Sequence, residues 1–387
     1  MTESGERVIR LGLIGTGLAV ELLHWPALRR MPDRYRVAAF ADVSPSQGRR
    51  FASYSGTPMS LFSADYGDVL CREDVDAVLI TLPIPLLYEA ARASLAAGKH
   101  VLCEKPTGTD EAEARAFLSL AREFPDRVVL IGENFFYRDD VRLARSLVDA
   151  GAVGRVHLMA WRVASRLVPR QGSFTGTPWR HHPEYRGGPQ LDAGVHNIAQ
   201  IRMLCGDAVA VHGAARQENR TMDAPSDMTL NLEFASGAIG SYTACYSEIP
   251  VGPEPNDMRV YGTGGVLVLD GGRGDRRVTL RRAGGLIETH RVRGADNGYY
   301  GELRNFHDAV VHGEPVAGTI LESVKNMLIV LRALDSAERG TVARLDDIPG
   351  GPRPEGPPLW RPRAAATLFD GLPGDHTVSR AEQPAEA

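Results

Sequence analysis

Val8-Ile9-Arg10-Leu11-Gly12-Leu13-Ile14-Gly15-Thr16-Gly17-Leu18-Ala19-Val20 opens the first regular pattern of the chain, and its reading decides the fold. A short run that is mostly apolar on both faces suits a strand buried inside a parallel sheet. Two glycines then turn the chain, and the spacing beyond Leu18 is helical. Gly15 permits a tight turn, and Gly17 lets the backbone come close to a ligand. Unpaired N–H groups and the positive end of the helix dipole at Gly15, Thr16, Gly17 and Leu18 then favour an anion such as a dinucleotide pyrophosphate. An ordinary glycine turn has the same letters, so the neighbourhood must arbitrate. Val20 replaces the Gly or Ala usual at the third fingerprint position, which predicts looser packing of helix on strand.

Outward from that turn, apolar runs at 37–41, 77–81, 101–103 and 128–131 alternate with amphipathic stretches. Repeated βαβ units around a parallel sheet leave this trace. Helices are clearest over 86–97, ended by Gly98, and over 110–123, where Asp110 can cap the N-terminus. Asp42 follows the second strand, about twenty residues past the glycine loop. An acid there accepts hydrogen bonds from adenosine ribose hydroxyls and repels a 2′-phosphate, so it favours NAD. Arg49 and Arg50 nearby keep NADP open, and a cap ahead of Ser44-Pro45 is the structural alternative for Asp42.

After a helical stretch near 140–150 the pattern becomes one of strands: 156–164, 208–216, 228–234, 238–244, 258–261, 266–269, 278–281 and 287–292. Gly-rich turns and little helix between them indicate a largely antiparallel sheet. Two late helices are expected at 301–311 and 321–339. The chain therefore divides into an α/β domain over 1–133, doubly wound in the Rossmann manner, and an α+β domain over 134–345 on a large, mostly antiparallel open sheet. A Pro-, Gly- and Arg-rich tail over 346–387 reads as irregular or disordered.

Composition narrows the function. The 387 residues carry a net charge of -4, which argues against a general nucleic-acid surface. Cys71, Cys103, Cys205 and Cys245 are scattered without a CxxC pair, as expected of reduced thiols in a cytoplasmic protein, and no metal is expected. No signal peptide pattern and no bilayer-length apolar run is visible, so export and membrane insertion are not expected.

Two further segments carry a resemblance: Gly98-Lys99-His100-Val101-Leu102-Cys103-Glu104-Lys105-Pro106, and Arg186-Gly187-Gly188-Pro189-Gln190-Leu191-Asp192-Ala193-Gly194-Val195-His196. With the N-terminal GxG, and with Trp179-Arg180 ahead of the second glycine cluster, the chain over about 8–345 resembles the glucose-fructose oxidoreductase, inositol dehydrogenase and rhizopine-catabolism (Gfo/Idh/MocA) family. The resemblance implies an NAD(P)-dependent enzyme that moves hydride between a nicotinamide and a secondary alcohol or ketone of a sugar, sugar phosphate, nucleotide sugar or cyclitol. It also implies a homo-oligomer, a dimer or tetramer. Within the same family lie lyases or glycosidases that reduce their cofactor transiently, and regulators that sense a dinucleotide without turnover.

The residues fit that chemistry. Lys105 follows a strand whose carboxyl end should face the cofactor, Pro106 stiffens the backbone behind it, and its ammonium would stabilise a developing alkoxide. Asp192 and His196 are four apart, on one helical face if the segment is helical, so the carboxylate can orient the imidazole. Histidine, with an ordinary pKa near working pH, suits a general base for alcohol oxidation and an acid for the reverse. The resemblance implies that Thr81, Pro83, Glu104, Lys105 and Asn134 lie beside the cofactor. Substrate contacts are expected from Lys105, Tyr137, Arg138, Trp179, Arg180, Asp192 and His196, although Tyr137 and Arg138 equally suit a core and a surface position. Ile84 and Leu87 depart from the family's usual Asn and His. Arg162, Arg166, Arg170 and Arg180 suit an anionic substrate group such as a phosphate or diphosphate, and a solvated arm on a neighbouring subunit suits them equally.

Overall fold

Six strands of the N-terminal half, β1 (Ile9–Ile14), β2 (Tyr35–Ala41), β3 (Phe62–Ser63), β4 (Ala77–Ile80), β5 (His100–Glu104) and β6 (Val129–Gly132), form one sheet. Its order is β3-β2-β1-β4-β5-β6, and every pairing is parallel. All of β4 and most of β1 are buried, as a sheet covered on both faces requires. Each aliphatic side chain fully buried there stabilises the sheet by about 1.5–3 kcal/mol. The order reverses at β1, which has β2 on one side and β4 on the other, so the loops after β1 and β4 flank a topological switch point. Asp110 caps the helix Glu111–Glu123 by accepting from the Glu113 amide at 2.9 Å, and Gly98 takes φ +76° just beyond the helix Leu87–Ala96.

The structure, a computed structural model, describes residues 6–250, 256–272 and 274–382. The chain separates into two units. The first runs to Glu133 and takes in the later segment Tyr299–Val324; the second comprises Asn134–Gly298 and the chain from Lys325 on. Sequence reading runs the second domain unbroken from 134 to 345, and the excursion of 299–324 is a difference with a visible cause. The helix Tyr299–His312 is held by first-unit residues: the Tyr35 hydroxyl donates to Leu303 O at 2.5 Å, Arg34 donates to Asp308 at 3.2 Å, and the His24 and Tyr299 rings meet edge-on at 5.1 Å.

The second unit is built on a ten-stranded sheet of β7 (Val156–Arg166), β8 (Ala208–Arg216), β9 (Asp227–Phe234), β10 (Ile239–Ser247), β11 (Met258–Gly262), β12 (Gly265–Gly272), β13 (Asp275–Arg282), β14 (Leu286–Arg293), β15 (Ala343–Arg344) and β16 (Asp375–Glu382). The order is β15-β8-β9-β10-β7-β11-β12-β13-β14-β16, antiparallel except where β10 meets β7. β9 alternates buried and exposed positions along its length, the mark of a sheet packed on one face. The tail departs from its expected irregularity, because β16 pairs with β14 along eight residues. Between sheet and tail, the fully buried Arg142 guanidinium donates to the carbonyls of Trp360 (3.2 Å) and Leu368 (2.5 Å) and lies 4.7 Å over the Trp360 ring. Composition signals weak regular structure, and it does not register anchors of this kind. Among the described residues no helix is long and apolar enough to cross a membrane.

Candidate active site

In the first unit the glycine loop is tied down from two sides. Gly15, at φ +86°, donates its amide to Ala41 O (2.9 Å), and Thr81 Oγ1 donates to Gly15 O (2.9 Å). A Cβ on Gly15 would stand 2.8 Å from Thr81 O, whereas one on Gly17 would meet nothing within 4 Å. That open space beside a helix N-terminus is the cradle a pyrophosphate needs, and it fits a dinucleotide. Asp42 sits half-buried at the end of β2, where Oδ2 accepts from Thr16 N (2.9 Å) and Thr16 Oγ1 (3.1 Å) and Oδ1 from Ser44 N (2.9 Å). The carboxylate thus holds the glycine loop to the end of β2. Val20, fully buried, is accommodated by a π-helical turn over Val20–His24, with Trp25 N bonded to Val20 O.

Gly17→Val separates binding from folding. The variant is expected to melt with the wild type, since its side chain enters open space, while NAD affinity falls by about tenfold or more, equivalent to at least about 1.4 kcal/mol. Calorimetric titration with NAD beside a thermal melt checks both.

Pro83 leads into the short turn Ile84–Leu86, and Ile84 and Leu87 are buried, so this loop uses its departures from the family pattern for packing. At the end of β5, Glu104 accepts from His24 Nε2 at 2.7 Å; His24 is fully buried. Lys105 is half-buried and Pro106 buried, joined by a cis peptide bond. The His24 contribution is absent from the sequence reading, because a lone histidine on a helix carries no spacing signal.

In the second unit Asp192 ends the short helix Pro189–Asp192, and His196 lies in the first turn of the helix Gly194–Cys205; Ala193 separates the two. Both side chains are half-buried. Asp192 Oδ2 accepts from Arg180 Nε at 2.8 Å, and the Arg180 guanidinium rests 4.0 Å over the Trp179 ring. The expected substrate group of Trp179, Arg180 and Asp192 is thus one interlocked unit. The His196 ring stacks on Phe135. Tyr137 is 1% exposed and packs edge-on against Trp360 at 5.4 Å, the core alternative of its two readings. Arg138 is buried and closes a fork on Asp140 (3.1 and 2.5 Å), while Asn134 donates through Nδ2 to Asn297 O at 2.6 Å. Burial would raise the Asp140 pKa, but the Arg138 and Arg276 charges outweigh it and hold the carboxyl below its usual range. Arg162 and Arg166 are exposed, four apart on one face of β7, and Arg170 is exposed beyond it.

All four cysteines are free thiols, and burial pushes Cys205 up to about 12. Among the described residues Glu6, His307 and His312 come close enough to share a cation. Arg34 already supplies one, 2.7 Å from Glu6 and 3.0 Å from His307 Nδ1.

A parallel six-stranded sheet with a glycine cradle at its switch point, followed by a large open antiparallel sheet, defines a Rossmann-type nucleotide-binding protein with an appended α+β unit. Residues 9–132 match the model of the oxidoreductase family with an NAD-binding Rossmann fold, and residues 141–268 match the Gfo/Idh/MocA C-terminal domain. The chain belongs to the Gfo/Idh/MocA oxidoreductase family, and its N-terminal domain is NAD-binding. It is 30% identical over 360 residues to 1,5-anhydro-D-fructose reductase of Ensifer adhaerens, covering 87% of this chain and 98% of that one. To dTDP-3,4-didehydro-2,6-dideoxy-alpha-D-glucose 3-reductase of Actinomadura kijaniata it is 33% identical over 220 residues, 56% of this chain and 61% of the relative. The crystal structure of an oxidoreductase from Thermotoga maritima superposes with a TM-score of 0.78 at 27% identity, covering 87% of this chain and 98% of that one.

Proposed function

We propose that the protein interconverts a secondary alcohol and a ketone on a sugar-like or cyclitol substrate, with NAD as the favoured partner and NADP open. The observation that carries this reading is the joint retention of Lys105 at the carboxyl end of a nucleotide-sheet strand and of His196 with Asp192, all at half-buried positions. The bound nicotinamide supplies a hydride acceptor or donor. His196 takes the hydroxyl proton during oxidation and returns it during reduction. Asp192, four residues before it in the sequence and braced by Arg180, is the carboxylate that would orient the imidazole. Lys105 steadies the negative charge that develops on the substrate oxygen. The names of the two relatives support a carbonyl on a sugar ring as the reacting group.

The test is absorbance of the reduced nicotinamide while the purified protein meets NAD or NADP, oxidised or reduced, with inositols, free sugars, anhydro- and keto-sugars, sugar phosphates and nucleotide sugars. Net turnover with one substrate class supports the dehydrogenase. Product formation with no net change in reduced cofactor would instead identify a lyase. Tight cofactor binding with no turnover across the panel would identify a sensing protein.

A further inference from the structure

We infer that Phe135 is a positioning residue for His196, fixing the plane in which the imidazole exchanges its proton; this rests on the proposed acid–base role of His196. Phe135 stands in the turn Asn134–Tyr137, and its ring stacks on His196 with centroids 4.8 Å apart and 19° between planes. The phenyl ring is itself held. The Arg138 guanidinium carbon lies 4.2 Å from its centroid, and Arg138 closes its fork on Asp140, both residues being buried. Arg276 stands 3.8 Å behind Asp140, and Asn134 pins the start of the turn to Asn297 O. A braced series of contacts therefore ends on the imidazole face: Arg276, Asp140, Arg138, Phe135, His196.

Division of labour within the turn separates this from ordinary packing. Phe136 and Tyr137 are 0% and 1% exposed and fill the core, whereas Phe135 is only half-buried, with its face against a half-buried histidine. A histidine ring turns through a broad torsion about its last side-chain bond, so a fixed backbone does not fix where its nitrogens point. A flat, immobilised phenyl against its face removes that freedom. Proton transfer depends on the nitrogen lying along the line to the substrate oxygen, so loosening the ring lowers the chemical step and leaves binding alone.

The prediction contrasts Phe135→Leu, which removes the flat face, with Phe135→Tyr, which keeps it. In Phe135→Leu kcat falls by about tenfold to a hundredfold, the scale of a small misplacement of a reacting group. KM for the cofactor and for the substrate that turns over stays within about twofold, since binding contacts are untouched. Phe135→Tyr restores kcat to near the wild-type value. Independently of any substrate, the His196 ring protons in the NAD-bound protein, assigned by their loss in His196→Gln, move downfield in Phe135→Leu and stay in place in Phe135→Tyr, because the ring current of the stacked phenyl is lost only in the first. Unchanged ring-proton shifts in Phe135→Leu, an unchanged kcat, or equal losses in the leucine and tyrosine variants would each overturn the proposal. Failure of the whole panel to turn over would sink the assigned activity alone, and the ring-proton shifts would still decide whether Phe135 sets the imidazole.

Discussion

His196→Ala lowers kcat for the panel substrate by about 10²- to 10⁴-fold, the range of a lost general acid–base group. Lys105→Ala lowers it by about 10²- to 10³-fold, as for a lost oxyanion donor. On the proposed mechanism, in which the two groups serve one transition state, the double variant falls little below the worse single one, since such effects do not multiply. Initial rates read at the reduced-nicotinamide band, with thermal melts of each variant and NAD titrations as controls, check this. Cofactor affinity in His196→Ala should match the wild type. If both single variants kept rates within a few-fold of wild type, the assignment of the reacting groups would be wrong whatever the substrate.

Asp207→Asn destabilises the protein by about 3–5 kcal/mol, the cost of leaving buried cations without their anion. Asp207, Arg202 and Lys325 are all fully buried. Asp207 Oδ1 accepts from Arg202 Nε and Nη2 (2.9 and 2.7 Å), and Oδ2 accepts from Lys325 Nζ (2.7 Å) and the Arg353 amide (2.9 Å). One carboxylate therefore balances two fully buried cations, with the Arg353 guanidinium a third at 3.7 Å, and ties the chain at Arg353 to the sheet unit. Burial would raise its pKa, yet Arg202 and Lys325 outweigh burial and hold it below the usual range. A depressed folded value places the sign: the stabilisation is complete above the unfolded carboxyl pKa of about 3.9 and fades as pH falls below it. Urea titrations at pH 7 and at pH 3 should show the gap between wild type and Asp207→Asn closing at the lower pH. A gap that is small at pH 7, or that widens on acidification, would count against this account.

The parts of the fold legible in sequence are those in which each segment carries its own signal. The run into Gly15, the four later apolar runs of the first half and the turn-separated strands of the second all appear as strands. β3 and β15 are two residues long, too short for any periodicity to register. β16, at the sheet edge, is exposed at nearly every position, so its letters lack the alternation of a half-buried strand. The helix Tyr299–His312 is visible as a helix, but a buried face does not say what buries it. In the same way, motif and resemblance single out Lys105, Asp192 and His196, while the partners that orient them are not adjacent in the chain. Arg180 is twelve residues from Asp192, and Phe135 is sixty-one from His196. No local pattern joins such pairs; only the folded backbone does.

The excursion of 299–324 into the nucleotide-binding unit also sets an order on biosynthesis. A nascent chain that has passed residue 133 holds all six strands of the Rossmann sheet, yet lacks the helix that accepts the Tyr35 hydroxyl and covers His24. The last segment of that unit is made only after the whole of 134–298. A ribosome-bound or truncated chain ending before 299 is accordingly a poor vehicle for isolating the cofactor-binding half, and a version that grafts 299–324 directly after 133 is the better starting point.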